Sequence, residues 1–312
     1  MTRVASIGEC MIELKQAAGG LYSRGYGGDT LNTAVYLARL GVEVDYITAL
    51  GDDPMSDEMV AGWAAEGVGT ERVARLRGKL PGIYMIQTDQ FGDRRFFHWR
   101  HSAAARSLMD LPATDDMLDS LAAYDVVYLS AITMSIYSPQ GRAKLFDALR
   151  RAKKHGARIV FDTNYRASGW PDPDVARAVL QEAFAVSDIV LASTEDLLPL
   201  FPYESDEQLM ARIRCNEAVL KLLEPGTIVR FEGISQEVRP APVAHPVVDT
   251  TAAGDSFSAA YICARIAGVE PIEASRAGHR LAGVVVCYPG AIIPRSAMPE
   301  NQGPAPSRKG PQ

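Results

Sequence analysis

The chain has 312 residues, of which 47% are hydrophobic and 22% are charged, and its formal net charge is −6. This composition is typical of a globular protein with enough apolar material for a large core. The sequence contains no basic block and no apolar run of about 20 residues, so nucleic acid and membrane are not expected partners. The four cysteines lack zinc-ligand spacing and fit a reducing compartment, which predicts a cytoplasmic location.

Short apolar strands alternate with helical patterns along most of the chain. A strand opens at "VASIGECMIEL", a helix follows over 29–41, and "VDYITALG" predicts the next strand before a helix over 53–67. The alternation resumes at "DVVYLSAI" and ends with two long helices over 252–267 and 271–287. Repetition of strand and helix predicts an α/β fold with a mostly parallel central sheet covered on both faces.

Two segments depart from this alternation. Residues 8–16 and 82–107 carry exposed-looking strands, and the second segment is typical of a hairpin with its turn at Phe91–Asp93. We predict that these segments form a small β lid over the carboxyl ends of the main strands. The segment 299–312 is rich in proline and glycine and is predicted to be disordered, which leaves residues 1–298 as one folded domain.

The stretch "VVDTTAAGDSFSAAY", residues 247–261, places small residues before Gly254 and Asp255 at the start of a predicted helix. A helix start carries free amides and a partial positive charge, and small residues let an anion approach the backbone closely. One interpretation is a helix with a stabilising acid in its first turn. The other is phosphoryl transfer, in which amides bind the transferred group and Asp255 accepts a hydroxyl proton. The motif GxxxxGK[ST] is absent, which excludes a P-loop enzyme.

The motif "DTTAAGD" resembles the second signature of the ribokinase-like (PfkB) sugar kinases, and "GGDTLNTAVYLARLG" at 27–41 resembles the first. "GDD" at 51–53 and "YPGAIIP" at 288–294 also match the family, so that the resemblance covers residues 1–298. It implies a ribokinase-like three-layer sandwich with a small β lid, ATP as phosphoryl donor, and Mg²⁺. It also makes Asp255 the expected general base. The expected anion hole consists of four consecutive backbone amides, those of Ala252, Ala253, Gly254 and Asp255.

The same resemblance assigns a sugar pocket. The first signature, "FDTNYR", and the pair Tyr84 and Arg100 together resemble the 2-keto-3-deoxygluconate kinase branch, which phosphorylates the terminal hydroxyl of an acid sugar. Arginine can bind a carboxylate through two parallel hydrogen bonds, so Arg100 and Arg166 are expected to hold the acid group. His98 stands where tyrosine is usual in the branch. The residues expected at the sugar are Gly28, Asp29, Asn32, Tyr84, His98, Arg100, Ile132, Arg166 and Asp255.

On the nucleotide side the family pattern is less complete. "STED" at 193–196 replaces the family's Asn-x-x-Glu motif but retains an acid, Asp196, as the expected Mg²⁺ ligand. "KLLEPG" at 221–226 has Leu223 where the family has glycine. The residues expected at ATP are Asn164, Ser193, Lys221, Glu224, Gly226, Gly254, His279 and Gly290.

Two other functions remain open from the sequence: a kinase for a neutral sugar such as fructose or ribose, and a catalytically silent sugar-binding regulator. A neutral hexose has no carboxylate for Arg100 and Arg166, and a pure binder needs no base in an anion hole. The sequence therefore favours an acid-sugar kinase whose partners are a small acid sugar and ATP. Formation of a homo-oligomer is left open.

Overall fold

Two β-sheets organise the protein in this computed structural model, which describes residues 2–88 and 94–299. The predicted turn at Phe91–Asp93 and most of the predicted disordered tail lie outside the described residues. Within the described ranges the strands are, in chain order, β1 (Arg3–Ile7), β2 (Met11–Gln16), β3 (Tyr22–Gly27), β4 (Glu43–Gly51), β5 (Val73–Leu76), β6 (Ile83–Thr88), β7 (Arg94–Trp99), β8 (Val126–Ser130), β9 (Arg158–Asp162), β10 (Ile189–Ser193), β11 (Glu217–Lys221), β12 (Thr227–Phe231) and β13 (Ile234–Val238).

The larger sheet has the strand order β13-β12-β11-β10-β9-β8-β1-β4-β5. Its strands pair in parallel from β5 to β11, and β12 and β13 join in antiparallel fashion at one edge. The central strands are buried on both faces, which explains their continuous apolar sequences. The predicted mostly parallel sheet is therefore confirmed.

Helices cover both faces of this sheet and give three layers. Alternate strand residues pack into two core clusters, one against α1, α2, α9 and α10 and the other against α3 to α8. Local signals fix the helix ends: Asp53 caps α2 by accepting from the Met55 and Ser56 amides, and Gly41, with φ 85°, follows α1. The helices are α1 (Asp29–Arg39), α2 (Pro54–Ala65), α3 (Thr114–Asp119), α4 (Ala131–Ile136), α5 (Pro139–Lys154), α6 (Pro173–Val186), α7 (Thr194–Leu197), α8 (Asp206–Arg212), α9 (Ala253–Ile266) and α10 (Pro271–Val285).

The smaller sheet has the order β3-β2-β6-β7. Strand β2 pairs antiparallel with β3 and parallel with β6, and β6 and β7 form the predicted hairpin strands. The sequence pattern missed β3 and placed residues 8–10 and 100–107 in this sheet. Residues 8–10 instead connect the two sheets, and Ala104–Asp110 is a 3₁₀ helix whose first residues are buried in the main core. That this sheet closes over a substrate stays a prediction.

The polar residues discussed below follow the carboxyl ends of β1, β8, β9, β10 and β11. They therefore lie along the side of the main sheet where its parallel strands end. In open α/β sheets, ligands bind at the carboxyl ends of the strands. The first turns of α1 and α9 also meet at the carboxyl ends of the strands, as the hydrogen bond between Asn32 and Asp255 shows. Within the described residues, no helix combines the length and apolar character needed to cross a bilayer.

Candidate active site

Helix α9 begins beside a residue with left-handed backbone. Ala252, which precedes the helix, has φ 59° and ψ 15°, a conformation that costs a non-glycine residue about 1–2 kcal/mol. In the described part of the chain, the amides of Ala252, Gly254 and Asp255 have no acceptor, whereas the Ala253 amide donates to the Thr250 carbonyl over 3.2 Å. Three of the four predicted amides are therefore available to an anion, and that of Ala253 is already engaged.

A lysine ammonium lies next to these amides. A Cβ added to Gly254 would lie 3.6 Å from Lys221 Nζ, with no other described group outside its own helix within contact distance. Lys221 ends β11 and forms an ion pair with Asp162 over 3.1 Å, and Asp162 also accepts a hydrogen bond from Ser258 Oγ on α9 over 2.8 Å. The helix start thus combines free amides with an ammonium group whose charge is shared with Asp162, which suits it to bind an anion.

The carboxylate of Asp255 lies in the first turn of α9 and is half-buried. Asn32 Nδ2 donates a hydrogen bond to its Oδ2 over 2.8 Å. Burial raises the pKa of Asp255 to about 7, the negative charges of Asp29 and Asp162 add to the rise, and Asn32 and Lys221 oppose it. A carboxylate with a pKa near 7 can take up a proton from a reacting hydroxyl at neutral pH.

Helix α1 and the residue that precedes it bring three of the predicted sugar residues to this point. A Cβ on Gly28 would lie 2.3 Å from the Glu9 carbonyl oxygen, so the protein's own backbone requires glycine there. Asp29 is buried and accepts a hydrogen bond from Asn164 Nδ2 over 2.8 Å, which joins α1 to the end of β9. The Asn32 Oδ1 atom is buried and lacks a partner among the described residues, so it can accept a hydrogen bond from a sugar hydroxyl.

Each of the two predicted carboxylate-binding arginines is paired with a carboxylate of the protein itself. Arg100, whose side chain is 17% exposed, donates to the buried Glu9. Arg166, whose side chain is 58% exposed, donates to Asp196 over 2.9 Å. A substrate carboxylate would therefore share these guanidinium groups with Glu9 and Asp196.

The smaller sheet contributes a pair of stacked rings. Tyr84 on β6 and His98 on β7 lie directly across from each other, with ring centroids 5.9 Å apart. The Tyr84 hydroxyl donates to Glu13 over 2.5 Å and fills the space that a side chain at Gly27 would need. Partial desolvation, and then the charge of Arg100, lowers the pKa of His98, which favours the neutral form of its ring.

Two of the predicted nucleotide residues shape loops near α9. Ser193 caps α7 by accepting from the Asp196 amide over 3.0 Å. Gly290, with φ 86°, donates its amide to Asp249 over 3.0 Å, and Asp249 also accepts from the Thr251 amide over 2.9 Å. One buried carboxylate thus connects the loop of Gly290 to the turn that precedes the free amides.

Three further nucleotide assignments concern the adenine side. His279 on α10 places Nε2 3.3 Å from Thr227 Oγ1, and its ring packs edge-on against Phe257. Gly226 is buried at the start of β12, whereas Glu224 is exposed. These contacts are compatible with a structural role as well as with adenine binding, so the assignments of His279, Gly226 and Glu224 stay predictions.

The described residues offer no ready-made metal cage. Within the described part of the chain, no group of three or more His, Cys, Asp or Glu side chains could hold a metal ion. Both oxygens of Asp196 are engaged, Oδ1 by Arg166 and Oδ2 by Thr163. Mg²⁺ in such enzymes is bound largely through substrate phosphates and one or two carboxylates, so the absence of a cage is compatible with it. Asp196 as a metal ligand stays a prediction.

Sequence reasoning missed three carboxylates that the structure places in the site: Glu9, Glu13 and Asp162. The signal was a charged residue next to a buried apolar run, as in "IGECMIEL" and "IVFD". An acid at such a place costs free energy unless it has a partner, and each of these has one. Ile132, which was predicted at the sugar, is half-buried in the first turn of α4.

The family model of the pfkB family carbohydrate kinases matches residues 1–298. The chain belongs to this family. The 2-dehydro-3-deoxygluconokinase of Dickeya dadantii (strain 3937) is 41% identical to this kinase over 306 residues, covering 95% of this chain and 98% of that protein. The 2-dehydro-3-deoxygluconokinase of Escherichia coli (strain K12) is 40% identical over 307 residues, covering 95% of this chain and 99% of that protein.

A solved structure shows the same fold. The fructokinase with bound ATP from Xylella fastidiosa has a TM-score of 0.80 at 22% identity, and the match covers 95% of each chain. The predicted ribokinase-like architecture and the predicted sugar-kinase class are therefore confirmed.

Proposed function

We propose that this kinase transfers the γ-phosphoryl group of ATP to the terminal hydroxyl of 2-keto-3-deoxygluconate, also called 2-dehydro-3-deoxygluconate, to give 2-keto-3-deoxy-6-phosphogluconate. The observation that carries the proposal is the start of α9, where Asp255, with its raised pKa, lies beside free amides and Lys221. The substrate is suggested by the names of the relatives at 40% and 41% identity.

In the proposed reaction Asp255 acts as the general base. The hydroxyl oxygen forms a bond to the γ-phosphorus as its proton passes to Asp255, and ADP leaves when the bond to the bridging oxygen breaks. Asn32 holds the carboxylate in place through the 2.8 Å hydrogen bond, while the amides of Gly254 and Asp255 and the Lys221 ammonium stabilise the transferring charge. Mg²⁺, bound with the phosphates of ATP, would supply further positive charge.

The acid group of the sugar distinguishes this proposal from its main alternative. Arg100 and Arg166 are the residues we propose for the carboxylate. A neutral-sugar kinase is the second candidate, because both arginines are already neutralised by Glu9 and Asp196 in the structure.

A coupled assay of ADP release with 2-keto-3-deoxygluconate, fructose and ribose tests the proposal. We expect kcat/KM on the acid sugar to exceed that on either neutral sugar by at least about 10-fold, since hydrogen bonds to a charged group contribute about 1.5–3 kcal/mol each. A preference for fructose or ribose would retain the kinase and exclude the acid substrate. Tight sugar binding without ADP release on any sugar would instead identify a silent regulator.

We also propose a cytoplasmic location, which is supported by four cysteines that are all free thiols in the structure. Assembly into a homo-oligomer stays a prediction.

A further inference from the structure

An unusual group of buried polar atoms surrounds Glu9, in the connection between β1 and β2. Glu9 Oε1, Arg100 Nε and the Tyr137 hydroxyl are buried and have no hydrogen-bond partner among the described residues. The charge of Glu9 acts on Tyr137, and Glu9 itself contacts Arg100, so the three atoms belong to one neighbourhood. Native proteins satisfy most buried polar atoms, so a concentration of unpartnered atoms marks a place where a polar ligand group can bind.

A second arginine acts on Glu9. Burial raises the pKa of Glu9, and the positive charges of Arg100 and Arg106 oppose that rise. Arg106 lies in the 3₁₀ helix Ala104–Asp110 and is half-buried. Its guanidinium group has no hydrogen-bond or ion-pair partner in the part of the chain that the structure describes.

The charges of this cluster do not balance. The positive charges of two guanidinium groups, those of Arg100 and Arg106, act on one carboxylate, Glu9, and only Arg100 is in contact with it among the described residues. Asp29 also acts on Glu9, but it has its own donor in Asn164. A positive charge that is partly removed from water without a partner is costly, and a bound carboxylate would neutralise it.

Arg166 differs from Arg106 both in its exposure to water and in having an ion-pair partner. Its side chain is more than half exposed, and its charge is matched by Asp196. Among the described residues, Arg106 has no ion-pair partner and is partly shielded from water. Arg166 is paired with Asp196 and is exposed to water, so Arg106 should bind a substrate carboxylate more strongly. Guanidinium–carboxylate hydrogen bonds are stronger in the less solvated place.

We propose that Arg106 is a further specificity-determining residue, which binds the carboxylate of the acid sugar together with Arg100, while Arg166, which is paired with Asp196, makes the weaker contact. This inference rests on the proposed function, because it needs an acid substrate. The two arginines come from consecutive segments, the end of β7 and the 3₁₀ helix that follows it, so that the carboxylate is held between the two sheets. Glu9 accepts a hydrogen bond from Arg100 and so keeps that guanidinium in place when the sugar is absent.

The test is Arg106→Gln, measured with 2-keto-3-deoxygluconate and with fructose. We expect KM for the acid sugar to rise about 10–100-fold, the usual effect of losing a hydrogen bond to a charged group. The kcat should change little, because the contact is equally strong in the ground state and the transition state. Any turnover of fructose and the KM for ATP should be unaffected, and Arg106→Lys should fall between the wild type and Arg106→Gln because lysine keeps the charge without the planar fork.

The matched control is Arg158→Gln, which removes a half-buried arginine at the start of β9. This residue lies at the amino-terminal end of the strand, away from the carboxyl ends where the site lies. It makes the same change in net charge and should leave KM for the acid sugar unchanged. A wild-type enzyme that turns over the acid sugar, with an Arg106→Gln variant of normal KM, would overturn the role of Arg106 and leave the proposed function standing. A wild-type enzyme that prefers neutral sugars would overturn both. Thermal melting of each variant shows whether the fold is intact, and little loss is expected because the Arg106 guanidinium makes no hydrogen bond or ion pair with any described residue.

Discussion

Replacing Asp255 by asparagine should slow catalysis and stabilise the protein at the same time. The variant keeps the size of the side chain and can still accept the hydrogen bond from Asn32, but it cannot take up a proton at neutral pH. A general base typically contributes about 10²–10⁴-fold, so we expect kcat to fall by that factor while the sugar still binds.

The gain in stability follows from the pKa of Asp255. The folded protein raises this pKa from 3.8 to about 7, so the folded state binds the proton more tightly than the unfolded state does. The destabilising effect of the buried charge is therefore absent at pH values below about 4 and is fully present above about 7. A shift of about three units corresponds to roughly 4 kcal/mol, and because the carboxylate is only half-buried we take about 2 kcal/mol after screening.

That free energy predicts a pH-dependent rise in melting temperature. The entropy of unfolding grows with chain length, so for 312 residues about 2 kcal/mol corresponds to roughly 3 °C. Asp255→Asn should therefore melt about 3 °C higher than wild type at pH 8, with little difference at pH 4. Differential scanning calorimetry at the two pH values, beside steady-state kinetics, measures both effects on one preparation.

Asp53→Asn is the matched control. Burial alone would raise the pKa of Asp53, but hydrogen bonds from Ser56 and Met55 outweigh it and leave the pKa below its usual value. This carboxylate therefore stabilises the fold above the unfolded pKa, and that contribution is lost as the pH falls. The control should melt lower than wild type at pH 8 with kcat unchanged. An Asp255→Asn protein of normal kcat, or one that melts lower at pH 8, would refute the assignment of Asp255 as a desolvated base.

Three further predictions concern neighbouring residues. Gly254→Val should fold normally, because among the described residues an added Cβ comes near Lys221 Nζ alone, yet lose about 10²-fold in kcat, because the new side chain keeps the phosphate away from the free amides; normal turnover would mean that phosphate binds elsewhere. Arg166→Ala should raise KM for the acid sugar about 10-fold and leave fructose turnover unchanged, because its exposed guanidinium is shared with Asp196; an equal loss on both sugars would contradict a carboxylate contact. Asn32→Ala removes a donor that favours the ionised form of Asp255, so the acid limb of kcat/KM should move from about pH 7 to higher pH; a pH profile that stays in place would refute the coupling.

The sequence predicted the parts of the fold that have a strong local signal. The start of α1 was found at the correct residue, its end within two residues and the start of α9 within one, because apolar periodicity, small residues and glycine are local features. Strand β3 was missed because Tyr22–Gly27 carries two glycines and little alternation. Strand β13 was missed because Ile234–Val238 is an exposed edge strand with no buried face to impose a pattern.

The site also contains residues that the sequence predicted and residues that it did not. The motif that ends in Asp255 is contiguous, so it could be recognised in the sequence. The carboxylates that pair with Arg100 and Arg166 are distant in sequence and could not be recognised there. Glu9 is 91 residues from Arg100, and Asp196 is 30 residues from Arg166, so each pair exists only through tertiary folding. The displaced pKa of Asp255 is likewise invisible in sequence, because burial and charges from distant segments set it.

The hydrogen bond between Asn32 and Asp255 joins residues that are 223 positions apart. During translation at about 5–20 residues per second, more than ten seconds separate the synthesis of these two residues. The sugar side of the pocket is then made long before the base and the phosphate-binding amides exist. We expect a nascent chain that ends before residue 253 to bind neither phosphate nor a reacting hydroxyl in the productive arrangement. We therefore expect a chain released before this point to show no hydrolysis of ATP.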